Sequence, residues 1–288
     1  MAEGKWQTVD ISKIEEGGFL NFLYTSAAGR ILLKVAVLTV WSKLVGYFMD
    51  SGLSKPLIKK FIEKNGIDMH DYGRVGTYGT FNEFFTRRVR KSARPVDQDH
   101  KALIAPCDGK LTAYKLDEGT ILRIKGSFYS LADVLKNDGL ASMYRGGCAL
   151  IFRLTVDDCH RYCYIDWGKK SDNHHIKGIL HTVRPIAFRH DNVYKRNARE
   201  YTVMDTLNFG QVTQMEVGAM MVGQIKNHQR ICEIKRGREK GMFLYGGSTI
   251  ILLLEEGKVV IDDEIMTNTE NGFETIVKMG EKIGEARP

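Results

Sequence analysis

Residues 245–261 read YGGSTIILLLEEGKVVI, and the fold class turns on how this stretch is taken. Two adjacent glycines precede Ser248 and Thr249, an unbroken apolar run follows from Ile250 to Leu254, and Glu255-Glu256-Gly257 closes it before KVVI (258–261). Such a run, rich in Ile and Thr and bounded by glycine-bearing turns, reads as a buried strand. The same pattern recurs upstream in ALIFRL (149–154), YTVMDT (201–206), QMEV (214–217) and ICEI (231–234). Residues 101–288 therefore form a β-rich core of mostly antiparallel strands. Only GSFYSLADVLKNDGLA (126–141) reads there as a helix, with Ser130 at its N-cap.

Upstream of residue 101 the character differs. Ile31, Leu32, Val35, Leu38, Trp41, Leu44, Val45 and Phe48 recur at three- and four-residue steps, so residues 18–65 are helical. Arg30, Lys34, Lys43, Lys55, Lys59, Lys60 and Lys64 surround them. This face either packs on a core or lies on anionic headgroups, and different sides suit each role. Lys34 and Lys43 interrupt the most apolar stretch, 31–49, which falls short of the roughly 20 apolar residues of a bilayer span. Residues 66–100 connect the two parts through one helical piece in FNEFFTRRVRKSARPVD (81–97). Its cluster Arg87, Arg88, Arg90, Lys91 and Arg94 reads as a solvated face, with phosphate binding as the sharper alternative. The fold class is α+β: an N-terminal amphipathic helical region, 1–100, before the core, 101–288.

Composition narrows the function classes. At 288 residues, with 43% hydrophobic and 27% charged, the chain is globular; disorder and fibrous repeats are excluded. The net charge of +7 suits an anionic partner, but no recognised nucleic-acid module accompanies the basic clusters, so no nucleic acid is expected. Cys107, Cys148, Cys159, Cys163 and Cys232 are odd in number and scattered, which points to a reducing cytosol. Cys159-His160-x-x-Cys163 is neither a zinc half-site nor a haem motif, and no metal is expected. Glu3, Asp10, Glu15 and Glu16 stand where a signal peptide would be basic and then apolar.

The segment Gly246-Gly247-Ser248 also carries chemistry. Paired glycines permit a backbone closed to residues with a Cβ, so the Ser hydroxyl can approach the preceding carbonyl carbon. Attack there converts amide to ester, and β-elimination cuts the chain, leaving a ketone at the new terminus. Most such stretches are ordinary turns. Here the context is YTSAAGRILL (24–33), FNEFFTRRVRKSARPVD (81–97), APCDGKL (105–111), KGSFYSLADVL (125–135), DDCHRYCYIDWG (157–168), MEVGAMMVGQI (215–225) and YGGSTIILLLEEGKV (245–259). These ordered blocks resemble the pyruvoyl-dependent phosphatidylserine decarboxylase family, in its clostridial-type bacterial branch.

The resemblance implies a precursor that cuts itself between Gly247 and Ser248 into a β fragment, 1–247, and an α fragment, 248–288. Ser248 would become a covalent pyruvoyl group, the only cofactor, and take the amine of phosphatidylserine as a Schiff base. Loss of CO2 would give phosphatidylethanolamine. The implied setting is peripheral, on an anionic membrane surface at the cytoplasmic face, as a homo-oligomer. Asp108 of Pro106-Cys107-Asp108-Gly109 would orient the base for cleavage. Val217-Gly218-Ala219 resembles the turn beside the pyruvoyl pocket, and Arg153, Arg161 and Arg196 are candidate headgroup ligands.

One departure from the family pattern leaves alternatives open. The family shows D-x-H-x-x-H, whereas Asp158-Cys159-His160-Arg161-Tyr162-Cys163 has a thiol in place of the second His. Either His160 is the base for cleavage and later a proton donor, or Cys163 acts as a thiolate, or the chain stays uncut as a lipid-binding pseudoenzyme. A soluble relative acting on a free amino acid is the further alternative. His174-His175, in a polar run, reads as an exposed loop.

Overall fold

The computed structural model describes residues 4–14, 17–37, 39–117, 119, 121–124, 127–190, 193–219, 224–245 and 248–287. Glu3, Glu15, Glu16, Leu38, Gly126, Gly246 and Gly247 lie outside the described residues, as do the side chains of Val35, Trp41 and Lys43. The expected cut therefore has only its Ser248 side described.

Ser248–Leu254 is a strand buried at every position. It pairs antiparallel with Cys148–Leu154 on one edge and with Gly210–Val217 on the other. Its side chains alternate between two apolar layers. Ile251 and Leu253 pack with helices, while Ile250, Leu252 and Leu254 pack with small sheets on the opposite face. Coverage on both faces explains why the run lacks the polar alternation of a half-exposed strand.

The large sheet has ten strands. From one edge they run Thr8–Asp10, Phe273–Val277, Gly109–Lys115, Cys148–Leu154, Ser248–Leu254, Gly210–Val217, Arg199–Thr206, Gly168–Lys170 and Cys232–Ile234; His174–Ile176 also pairs with Arg199–Thr206. All its named pairings are antiparallel. The α+β reading holds. Thr8–Asp10 nevertheless joins the large sheet although it precedes the helical region in the chain. His174 and His175 are exposed, but on an edge strand and not in a loop.

Helices Gly18–Thr25, Ala27–Ala36, Thr39–Met49 and Leu57–Asn65 occupy the expected helical stretch. Leu23, Tyr24, Leu33 and Val37 bury against the same layer as Ile251, Met215 and Val217. A separate aromatic cluster, Phe81, Phe84 and Phe85 with Ile58 and Ile67, extends to Tyr245. That cluster joins the helical region to Tyr245, the last described residue before Ser248.

The single helix expected at 126–141 is not formed. Ser127–Ser130 is a strand paired with Ile121–Ile124, and two short helices follow, Leu131–Leu135 and Asp138–Ser142. Lys136 adopts a left-handed φ of 53°, which stops the first helix, and the Asn137 side chain caps the second by accepting from the Leu140 N–H at 2.9 Å. Ser130 holds the N-cap position without a side-chain cap bond. Further helices at Pro185–His190, Val193–Arg196 and Asp263–Glu270 were not expected.

Candidate active site

Ser248 is the first residue of the central strand and is 1% exposed. Its Oγ has no hydrogen-bond partner among the described residues, and neither has Thr249 Oγ1 beside it. An orphaned hydroxyl in a packed interior costs about 1–3 kcal/mol. Thr249 lies opposite Arg153 on one side and Val217 on the other. Val217 and Ala219 are buried, and the Gly218 N–H donates to the Ala198 carbonyl at 2.9 Å. Residues 217–219 thus stand at the same end of the sheet as Ser248.

His160 is fully buried. Its Nδ1 donates to the Asp158 carbonyl at 3.1 Å, which leaves Nε2 as the bare nitrogen, and Nε2 has no partner among the described residues. Burial first, and the nearby Arg87 charge second, push its pKa down to about 3. The imidazole is therefore neutral at physiological pH. Its ring lies 4.0 Å from Phe85, and Phe85 in turn lies 5.2 Å from Tyr245. The Phe243 N–H donates to the His160 carbonyl at 2.9 Å, which ties the imidazole-bearing segment to the strand Glu239–Phe243 upstream of Ser248.

Asp108 is also fully buried, but it faces a guanidinium. Arg94 donates Nε to Oδ1 at 2.9 Å and Nη2 to Oδ2 at 2.8 Å, while the Met279 N–H donates to Oδ1 at 2.9 Å. Gly109 next to it is closely packed, since a Cβ would meet the Arg153 carbonyl oxygen at 3.2 Å. Cys163 donates its N–H to the Pro106 carbonyl at 2.8 Å, which brings the P-C-D-G turn against it. Burial pushes the Cys163 thiol up to about 12, and the Asp108 charge adds to the effect. The structure therefore brings Asp108 and Cys163 together. No hydrogen bond among the described residues links Asp108 to His160 or to Ser248.

Several residues gain roles that sequence reasoning did not assign. The basic cluster is not wholly a solvated face, because Arg87 is 1% exposed and Arg94 is held at Asp108. Arg87 lies over the Tyr72 ring and donates Nη2 to the Asp157 carbonyl at 2.8 Å. Its Nε and Nη1 have no partners among the described residues. The Asp158 carboxylate accepts from Lys110 Nζ at 2.7 Å and from the Thr155 N–H at 2.7 Å, which fixes the carbonyl that orients His160. Asn82 accepts from the Tyr245 N–H at 3.1 Å. Arg87, Arg94 and Asn82 lie in the quoted block 81–97, Lys110 in APCDGKL and Asp158 in DDCHRYCYIDWG, yet their type alone does not reveal a partner far away in sequence. Of the three candidate headgroup arginines, Arg153 is paired with Glu274 and Arg161 with Glu239.

Comparison with known proteins assigns the class first: the chain is a decarboxylase, a carboxy-lyase. It belongs to the phosphatidylserine decarboxylase family, whose sequence pattern matches residues 81–285. The phosphatidylserine decarboxylase proenzyme 2 of Clostridium acetobutylicum is 44% identical over 271 residues, covering 94% of this chain and 92% of the relative. The phosphatidylserine decarboxylase proenzyme of Ruminiclostridium cellulolyticum is 42% identical over 97% of this chain and 95% of its own length. That of Clostridium perfringens is 37% identical, with 97% of each chain covered.

Proposed function

We propose that the chain is a precursor that cuts itself between Gly247 and Ser248, and that the product decarboxylates phosphatidylserine to phosphatidylethanolamine. The observation that carries this reading is the buried Ser248 Oγ at the head of the central strand, without a hydrogen-bond partner among the described residues. In the first step Oγ bonds to the Gly247 carbonyl carbon, the Gly247–Ser248 C–N bond breaks, and the hydroxyl proton passes to a base. Loss of the Ser248 Cα proton then expels the Gly247 carboxylate, and water replaces the nitrogen, released as ammonia, with a ketone oxygen. A pyruvoyl group formed in this way supplies an electrophilic carbonyl for the substrate amine and a sink for the electron pair left by CO2.

The residues present fit that group. Ser248 Oγ has no partner among the described residues, and Ser248, Thr249 and Val217 are all buried, which supports a site shielded from water. His160 is the favoured base: it is neutral, its tautomer is set by the Asp158 carbonyl, and its bare Nε2 has lone-pair density to offer. Because burial disfavours its cation, it hands a proton on and does not store one, which also suits delivery to the decarboxylated carbon. Cys163 is the weaker alternative, since a thiol near 12 is not a thiolate at neutral pH. Asp108, clamped by Arg94, positions the P-C-D-G turn against Cys163 and Met279.

A lipid substrate accords with the surface. Phe19, Phe22, Ile31, Leu32, Leu44, Tyr47, Phe48, Leu53 and Leu57 are large apolar side chains left exposed in the helical region. A patch of that kind marks an interaction surface. No helix among the described residues is long and apolar enough to cross a membrane. Residues 18–65 are accordingly the part of region 1–100 that rests on the cytoplasmic face of an anionic membrane, with 101–288 as the catalytic core.

Replacement of Ser248 tests the reading directly. Ser248→Ala should give a folded, uncut chain with no CO2 release from phosphatidylserine; residual decarboxylation in that variant would overturn the assignment.

A further inference from the structure

We infer that Arg87 seats the carboxylate that self-cleavage leaves on Gly247, and so holds the new end of the 1–247 fragment in place. The inference rests on the self-cleavage reading above and assigns a partner to the charge that this step creates. Arg87 is 1% exposed, yet it has no ion-pair partner among the described residues. Its guanidinium lies over the rings of Tyr72, at 4.4 Å, and Phe84, at 5.0 Å. Aromatic faces hold a guanidinium in place but bring it no formal counter-charge. Nη2 donates to the Asp157 carbonyl at 2.8 Å and reaches the Asp158 carbonyl at 3.4 Å, whereas Nε and Nη1 have no partner among the described residues. The neighbouring cations are committed: Arg94 to Asp108, Lys110 to Asp158 and Arg153 to Glu274. Two donors on one buried cation suit a carboxylate, which accepts charge-assisted bonds on both oxygens.

The chemistry of the cut supplies that group. When the ester is eliminated, the Ser248 Cα proton goes to the base and the Cβ–Oγ bond breaks. Oγ stays on the Gly247 carbonyl carbon as the second carboxylate oxygen. The other product takes up water, loses its nitrogen as ammonia and ends as a neutral ketone. Hydrolysis of a peptide bond sets an ammonium beside each carboxylate; this cut makes an anion with no cation attached to it. A buried carboxylate is costly unless it is paired. Before the cut the fold holds a cation without an acid, and after it an acid without a cation. Placement agrees. Tyr245 is bound through its N–H to Asn82 Oδ1 at 3.1 Å, and its ring lies 5.2 Å from Phe85. Asn82 and Phe85 belong to the short helix Phe81–Phe85, and Arg87 follows it with its N–H donating to the Phe84 carbonyl at 3.1 Å. The Asp158 carbonyl that Arg87 reaches also accepts from His160 Nδ1 at 3.1 Å, so the guanidinium stands beside the favoured base. Gly247 is two residues beyond Tyr245, a span of about 7 Å when extended, to which the long Arg87 side chain adds its own reach. At 1% exposure Arg87 suits a group made inside the fold better than one arriving from solvent.

Carboxypeptidase digestion of the native, self-cleaved protein, read by intact mass, tests the seat. In the parent the 1–247 fragment should keep its full mass. In Arg87→Gln it should lose terminal residues about tenfold faster or more, with Arg87→Lys between the two. Thermal unfolding separates this from a merely structural role. In the uncut Ser248→Ala chain, which makes no carboxylate, Arg87→Gln should leave the midpoint unchanged or raised, whereas in the cut chain it should lower it. Digestion of the parent at the variant's rate, or an equal loss of midpoint in cut and uncut chains, would remove the seat and leave the self-cleavage reading intact. An uncut parent would remove that reading itself. If Arg87→Gln folds but stays uncut, Arg87→Lys carries the digestion; if neither cuts, the guanidinium belongs to the cleavage chemistry and its assignment to the product is overturned. A protected end in Arg87→Gln with a raised KM for phosphatidylserine would give Arg87 to the substrate carboxylate instead, and would equally overturn it.

Discussion

At position 163 a thiol stands where a second imidazole would complete D-x-H-x-x-H. Asp108 is clamped by Arg94, and His160 is oriented by a backbone carbonyl. His160→Ala should slow self-cleavage by about 10²-fold or more, whereas Cys163→Ala should leave it near the parent rate. Denaturing gels over time check this, and the reverse pattern would move the base to the thiol. The pH dependence adds a second discriminator. With its pKa near 3, His160 stays neutral from about pH 4 upward, so cleavage should show no inflection near 6.5. A thiolate base would instead make the rate climb toward alkaline pH. The linkage sign is equally defined. Between about pH 3 and 6.5 the unfolded chain binds the His160 proton and the native chain does not, so stability falls progressively as pH drops from about 6.5 to about 3. Ser248, Asp108 and His160 stand out in the sequence because they sit in short motifs, and the structure buries all three. Arg87 and Arg94 do not stand out, because a run of cations looks solvated until tertiary contacts draw individual members inside.

The strands were legible because each carries β-branched apolar residues between turns, and the central one is covered on both faces. Misreading of 126–141 has a local cause: N-D-G at 137–139 favours a cap and a new start over continuation, and Lys136 yields the left-handed residue between. Asp263–Glu270 escaped notice because only Ile265 is buried in it, which leaves almost no periodic signal, although Asp262 caps it and two acids fill its first turn. The N-terminal helices were legible for the opposite reason, having strong periodicity and cations alongside. Ile31 and Leu32 are 69% and 47% exposed, so they serve no core of the isolated chain. Ile31→Glu/Leu32→Glu should reduce flotation with anionic vesicles about tenfold while leaving self-cleavage unchanged. Undiminished flotation would place the membrane contact elsewhere.

Across the whole molecule, the fragments expected from cleavage are interleaved. Residues 248–288 supply the central strand, held between two strands of the other fragment, and also Phe273–Val277, which lies between Thr8–Asp10 and Gly109–Lys115. Lys282–Ala286 pairs with Ala102–Ile104 in a smaller sheet. Neither fragment retains a complete core alone, so cutting the backbone before Ser248 frees a strand end without separating the pieces. The net charge of +7 and the exposed apolar side chains of the helices stay on the assembled unit, where the proposed membrane contact would use them. Intact-mass spectrometry of the purified protein, run under denaturing and native conditions, bears most directly on this account. It predicts fragments 1–247 and 248–288 when denatured, the smaller beginning with a blocked, ketone-bearing residue, and one joint mass when native. A single full-length mass with an unmodified Ser248 would contradict it.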